Sequence, residues 1–136
     1  MKIKLDKGAR TPTRAHPTDA GFDLYARDLQ IIPAKESTVF DTGVHVEIPA
    51  GYVGFLKSKS GLNVRGGIVG EGVIDAGYTG SIKVKLYNHS GRDYIVQQGD
   101  KISQLVILPI LTPEIEVVEE LTPTERGERG FGSTGR

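Results

Sequence analysis

Five segments of this chain hold side chains that could do chemistry where a purely structural element would not need them. Residues 70–80, GEGVIDAGYTG, lead an apolar dipeptide to Asp75 with Tyr78 three positions on. On a hairpin both side chains could project into a cleft, and a carboxylate there could take a proton from an attacking water. The plain alternative is that Asp75, Ala76 and Gly77 make a simple turn. Residues 57–63, KSKSGLN, set hydroxyls, cations and a glycine after an apolar strand, a combination that can cradle phosphate and is also common in surface loops. Residues 19–26, DAGFDLYA, put two carboxylates around a strand start, where Asp is also an ordinary turn residue. In residues 99–105, GDKISQL, Gln104 enters an otherwise apolar run. An unpaired buried amide is costly there, so a backbone group or a ligand must satisfy it.

The fifth segment is the tail, residues 122–136, TPTERGERGFGSTGR, expected as a flexible unit beyond a folded body spanning 1–121. Its only large apolar residue is Phe131, too little to order it alone, so a frayed terminus is one reading. Its chemistry suggests another. Glycines 127, 130, 132 and 135 let backbone N–H groups converge on an anion, while Arg126, Ser133 and Thr134 add donors and Phe131 could stack on a base. Such a tail could close as a lid.

The elements that must position these groups read as strands. The 18 Gly and 7 Pro are spread so that the longest stretch free of both is 22–32, which leaves almost no room for an average helix of ~11–12 residues. Apolar residues alternate instead: Ile3 and Leu5; Val44, Val46 and Ile48; Ile82, Val84 and Leu86. Denser runs cover residues 52–56 and 105–108, and a late strand is expected over Ile115, Val117 and Val118. Many short strands with turn signals between them, and no internal repeat, indicate an all-β sandwich, jelly roll or barrel.

Composition sets the outer limits. The chain has 136 residues, one domain's worth, with 17 basic against 17 acidic side chains and no cysteine. Zero net charge argues against broad binding of nucleic acid, so anion recognition must be local. Disulfides and thiolate metal sites are excluded. The start, MKIKLD, offers no apolar signal core, and no apolar run approaches the ~18 residues of a membrane span. A cytoplasmic protein without a membrane partner is expected.

Taken together and in this order, the five segments resemble the five motifs of the trimeric dUTPase family: AGxDL, RSGL, GVID-x-x-Y-x-G, GD-[RK]-I-x-Q and RG-x-x-GFGSTG. The resemblance runs from Asp19 to Gly135. It implies a jelly-roll-like β-barrel, a homotrimer whose subunits share each active site, and Mg²⁺-assisted hydrolysis of dUTP to dUMP and pyrophosphate. Asp75 would be the base that activates water. Tyr78 would pack under the deoxyribose and refuse a 2′-hydroxyl. The backbone around Val69, Gly70, Val73 and Ile74, with Lys83 on the return strand, would bond the uracil edge. Lys59, Ser60, Gly61 and Gln104 would hold the α- and β-phosphates. Arg126, Ser133 and Thr134, next to Gly132, would hold the γ-phosphate while Phe131 stacks over uracil. Asp23 would reach Mg²⁺ through water, the metal resting chiefly on the triphosphate.

Two positions depart from the pattern. Lys59 stands where the RSGL motif has Arg, keeping the charge without the bidentate fork, and Arg129 replaces a usual tail Gly. His16, His45 and His89 match no motif. Two rivals remain on the sequence alone. A dCTP deaminase shares the fold but typically has Glu where this chain has Asp75, and the zinc deaminases lack their Cys ligands here. A non-enzymatic β-domain that binds a regulatory protein partner is the other, and such a role could coexist with catalysis.

Overall fold

The computed structural model describes residues 1–130. Phe131, Gly132, Ser133 and Thr134 lie outside the described residues. Among the described residues eleven strands make four antiparallel sheets, with one short helix between strands. The largest has the order β2(Gly21–Tyr25), β11(Lys101–Pro109), β6(Tyr52–Lys57), β8(Gly72–Ile74). A second has the order β4(Ser37–Asp41), β9(Lys83–Asn88), β7(Ile68–Val69). Two pairs complete the body: β1(Lys2–Leu5) with β5(Val44–Glu47), and β3(Gln30–Ile32) with β10(Tyr94–Val96). The all-β expectation holds.

Alternation explains the packing. In β9 Val84, Leu86 and Asn88 turn inward while Lys83, Lys85 and Tyr87 face out. Val84 and Leu86 are each 1% exposed, and full burial of such side chains contributes about 1.5–3 kcal/mol apiece. They meet Phe40 of β4, Ile68 of β7, and Leu105 and Ile102 of β11 in one core. The polar Asn88 is tolerated inside because its amide donates to the Ile32 and Arg92 carbonyls, at 2.9 and 2.7 Å, and accepts from Ser90.

Two local expectations fail for physical reasons, and one strand that forms as expected stays uncovered. Residues 60–66 form a helix, α1(Ser60–Gly66), in a stretch whose glycines argued against one. Gly67, in the left-handed region at φ 62°, closes it by donating to the Asn63 and Leu62 carbonyls, so that glycine is a helix stop. Ile3 and Leu5 alternate as a strand should, yet all of β1 is exposed, because it pairs with β5 alone and none of the described residues buries its apolar stripe. The late strand over residues 115–118 does not form. Residues 110–121 are exposed throughout and pair with no strand edge among the described residues. Beyond the Ile110 N–H, which donates to the Gly51 carbonyl, the hydrogen bonds of the described tail are internal to it.

Candidate functional site

Asp75 leaves β8 and enters a tight turn. Its carbonyl accepts the Tyr78 N–H at 3.1 Å, and Gly77 at φ 94° takes the position where a side chain would be strained. The Asp75 side chain is exposed, and a cleft of about 230 Å³ is lined by Val73, Ile74, Asp75, Tyr78 and Lys83. The expected pairing of the two strands around this loop is absent. Strand β8 pairs with β6, β9 pairs with β4 and β7, and no ladder joins β8 to β9 among the described residues. The strands serve different sheets, so the outer edge of β8 and the Lys83 end of β9 both border the cleft with backbone groups to spare.

The Asp75–Ile82 connection is anchored from behind. Tyr78 Oη donates to the Ser81 carbonyl at 3.0 Å, and Ser81 Oγ donates to Asp41 Oδ1 at 2.5 Å. That bond, with the Gly43 N–H at 3.0 Å, holds the Asp41 carboxyl below its usual range against a smaller opposing effect of burial. His45 Nδ1 meets the Thr79 carbonyl at 2.8 Å. A Cβ at Gly80 would sit 2.5 Å from Tyr78 Oη, so the ring keeps this position only over a glycine.

Val69 and Gly70 lie just upstream. Gly70 N–H donates to Ser58 Oγ at 3.0 Å, and Ser58 Oγ donates back to the Gly70 carbonyl at 3.1 Å. Only one lone pair of that carbonyl stays free. The Ser58 bridge ties the glycine-rich segment to the segment that carries Lys59.

A second cleft, of about 320 Å³, is lined by Lys59, Gly61, Leu62, Arg65, Tyr94 and Lys101, among others. Ser60 and Gly61 open α1, where the first N–H groups have no partner within the helix. A Cβ on Gly61 would meet only Arg65, at 3.8 Å, so packing within the chain does not demand glycine there. Below lies Asp23, 4% exposed, with Lys59 Nζ at 2.5 Å from one carboxylate oxygen and Lys101 Nζ at 2.7 Å from the other. Burial pushes the Asp23 carboxyl up, but the two ammonium groups outweigh it and hold it below its usual value. Lys101 is raised in return, chiefly by its bond to Asp23. Gln104 on β11 is the register partner of Asp23 on β2, and its amide donates to the Ser58 carbonyl at 3.2 Å, the backbone partner that the sequence left open.

The structure thus divides the expected residues. Val73, Ile74, Asp75, Tyr78 and Lys83 share one cleft, Lys59 and Gly61 the other, and Arg126 sits in the exposed tail bonded to Arg129. Lys101, Arg65 and Ser58 were not singled out from sequence. Lys101 had a signal in its place within GDKI, whereas Arg65 had none once the helix was missed.

A metal can be tested against these groups. Among the described residues no three His, Asp or Glu side chains converge, and Asp23 already balances two cations. The donor set does not fit Mg²⁺ bound by protein alone. It fits a Mg²⁺ that arrives on a polyanion, with a lone pair of Asp23 left for a metal-bound water.

Comparison with known proteins gives one answer. The dUTPase family model matches residues 7–135. A deoxyuridine 5′-triphosphate nucleotidohydrolase of Yarrowia lipolytica is 45% identical over 134 residues, 96% of this chain and 85% of that protein. The dUTPase of Staphylococcus bacteriophage 80alpha, solved with dUpNHpp, superposes with a TM-score of 0.93 at 37% identity, covering 99% of this chain and 98% of that one. A mutant dUTPase of the S. aureus phage phi11, described with a structural Mg(II) ion, gives 0.82 at 35% identity, over 88% and 96% of the two chains.

Proposed function

Since the chain belongs to the dUTPase family, we infer that its two clefts are the separated halves of a dUTP site that is completed between subunits, with Asp75 as the base. The reaction is hydrolysis of dUTP to dUMP and pyrophosphate, which keeps uracil out of DNA and supplies dUMP for dTMP synthesis. The observation that carries the shared-site reading is the division itself. One chain presents base- and sugar-sized contacts in one cleft, cations in another, and Arg126 on an exposed tail. A homotrimer brings the cleft of one chain against the cations of a second and the tail of a third.

In this reading the free edge of β8 and the Lys83 end of β9, around Val73, Ile74 and Lys83 with Val69 and Gly70 upstream, read the uracil edge. Their fixed donors and acceptors disfavour cytosine, and the narrow gap excludes the thymine methyl. Tyr78, folded back on Gly80, forms the floor for deoxyribose and leaves no room for a 2′-hydroxyl. Lys59, Ser60, Gly61 and Gln104 hold the α- and β-phosphates, the bare Gly61 giving close approach. Arg126, Ser133 and Thr134 hold the γ-phosphate, with Gly132 between them and Phe131 over the base.

Asp75 takes a proton from the water that attacks the α-phosphorus. The bond to the bridging oxygen breaks, and pyrophosphate leaves in line. Mg²⁺ bound to the triphosphate supplies charge neutralisation. Asp23 would accept a hydrogen bond from one of that ion's waters, and the chain's own work is positioning and exclusion of solvent. The protein acts on free nucleotide in the cytoplasm, with no direct nucleic-acid or membrane contact. No helix among the described residues is long and apolar enough to cross a membrane.

Pyrophosphate release from dUTP, dCTP, dTTP and UTP, with Mg²⁺ and with EDTA, tests the reading. Release confined to dUTP and strengthened by Mg²⁺ is expected. Release of ammonia from dCTP instead would overturn it.

A further inference from the structure

His45 matches no motif of the family, yet its ring is the bridge between the catalytic loop and the N-terminal segment. Nδ1 lies 2.8 Å from the Thr79 carbonyl and Nε2 lies 3.2 Å from Asp6 Oδ1. Both partners are acceptors. A neutral imidazole carries one N–H, so with Nδ1–H on Thr79 its Nε2 lone pair would face a carboxylate. Only the imidazolium serves both. Asp6 is itself fixed, its N–H donating to the Gly43 carbonyl at 2.8 Å.

Thr79 follows Tyr78 directly and is the first residue after Asp75 that is tied to a distant part of the chain. The next ties are Ser81 to Asp41, and Ile82 to Thr42 and Val44. We propose that His45, in its protonated form, is a positioning residue that sets the Asp75–Tyr78 turn for nucleotide, so that His45 protonation and dUTP binding favour one another. The proposal rests on the reading of Asp75 and Tyr78 as dUTP contacts.

The surrounding charges agree. Facing His45 are Asp6, which is shared with Arg27 at 3.8 Å, and Lys4, its register partner on β1. Lys2 and Glu47, paired with each other at 3.2 Å, flank the same two-stranded sheet. The loop contributes the Thr79 carbonyl. That carbonyl first, then Asp6, raise the imidazole above its ordinary value against smaller opposing effects of burial and Lys4.

The test is the imidazole titration of the full chain by NMR, free and saturated with dUpNHpp, together with the pH dependence of KM and kcat for dUTP. The three histidines are resolved by a His45→Asn variant, whose amide can keep the Thr79 bond without titrating. The His45 midpoint is expected to move to higher pH on binding. KM should rise about fivefold as pH passes the free midpoint, at unchanged kcat, and that rise should vanish in His45→Asn. A midpoint unmoved at saturation, or the same alkaline rise in His45→Asn, would overturn the proposal. The titration reads binding alone, so it stands apart from loss of the Asp75 assignment, which full turnover by Asp75→Asn would signal.

Discussion

Adding one methyl at Gly80 should separate positioning from folding. A Cβ there would lie 2.5 Å from Tyr78 Oη, 2.6 Å from Cζ and 2.9 Å from Cε2. Ordinary contact is about 3.5–4.0 Å, so the ring must retreat by about 1 Å or swing into solvent. Swinging out is cheap for the fold, because Tyr78 is 44% exposed and leaves no cavity. The loss is its hydrogen bond to the Ser81 carbonyl, about 1 kcal/mol, or a melting shift of about 4 °C. Function should suffer more. A displacement of about 1 Å at a positioning contact costs about 100-fold, close to 2.7 kcal/mol in transition-state stabilisation. Steady-state kinetics of Gly80→Ala with dUTP and UTP should therefore show kcat/KM for dUTP down about 100-fold and the dUTP preference over UTP sharply reduced. Wild-type values for both, in a folded variant, would refute the role given to Tyr78.

Three further outcomes follow from the same geometry. Asp23→Asn should lower stability at pH 7 by about 2 kcal/mol, because a neutral amide replaces a carboxylate between two ammoniums. The folded-state pKa of Asp23 is depressed, so its contribution is present above the unfolded value and lost as pH falls through the folded one. Denaturant melts from pH 7 to 2 should show a shallower acid decline in the variant, and identical slopes would contradict this. Deleting residues 126–136 should remove most dUTP hydrolysis while leaving the melting temperature of the body unchanged, and a fully active truncation would end the lid reading. Mixing inactive Asp75→Asn subunits with inactive truncated ones should restore activity if sites are shared between chains, since some sites then join an intact Asp75 to an intact tail. Persistent inactivity in confirmed mixed assemblies would count against sharing.

What was legible in the sequence was whatever is written locally. The lysine–apolar alternation of β9 and the Val44, Val46, Ile48 pattern gave their strands directly, because a two-residue period needs no knowledge of the partner. Asp75 and Tyr78 were legible because four residues of turn set them together. Features that depend on distant pairing were not. The separation of β8 from β9 into different sheets follows from β6 and β4 competing for their edges. The clasp on Asp23 joins it to Lys59 and Lys101 from two other segments. The residue 115–118 stretch has strand composition without an edge to pair with among the described residues, and composition alone could not reveal that. The α1 helix is hidden in the sequence because it contains Gly61 and Gly66 and is shorter than an average helix, while Gly67, in the left-handed region, is its stop signal.

Turnover and binding by Asp75→Asn, measured side by side, test the central claim most directly. The account predicts pyrophosphate release from dUTP reduced by at least about 10²–10⁴-fold, the usual worth of a general base, with dUpNHpp affinity close to wild type. Release near the wild-type rate would contradict it and move the base to another group.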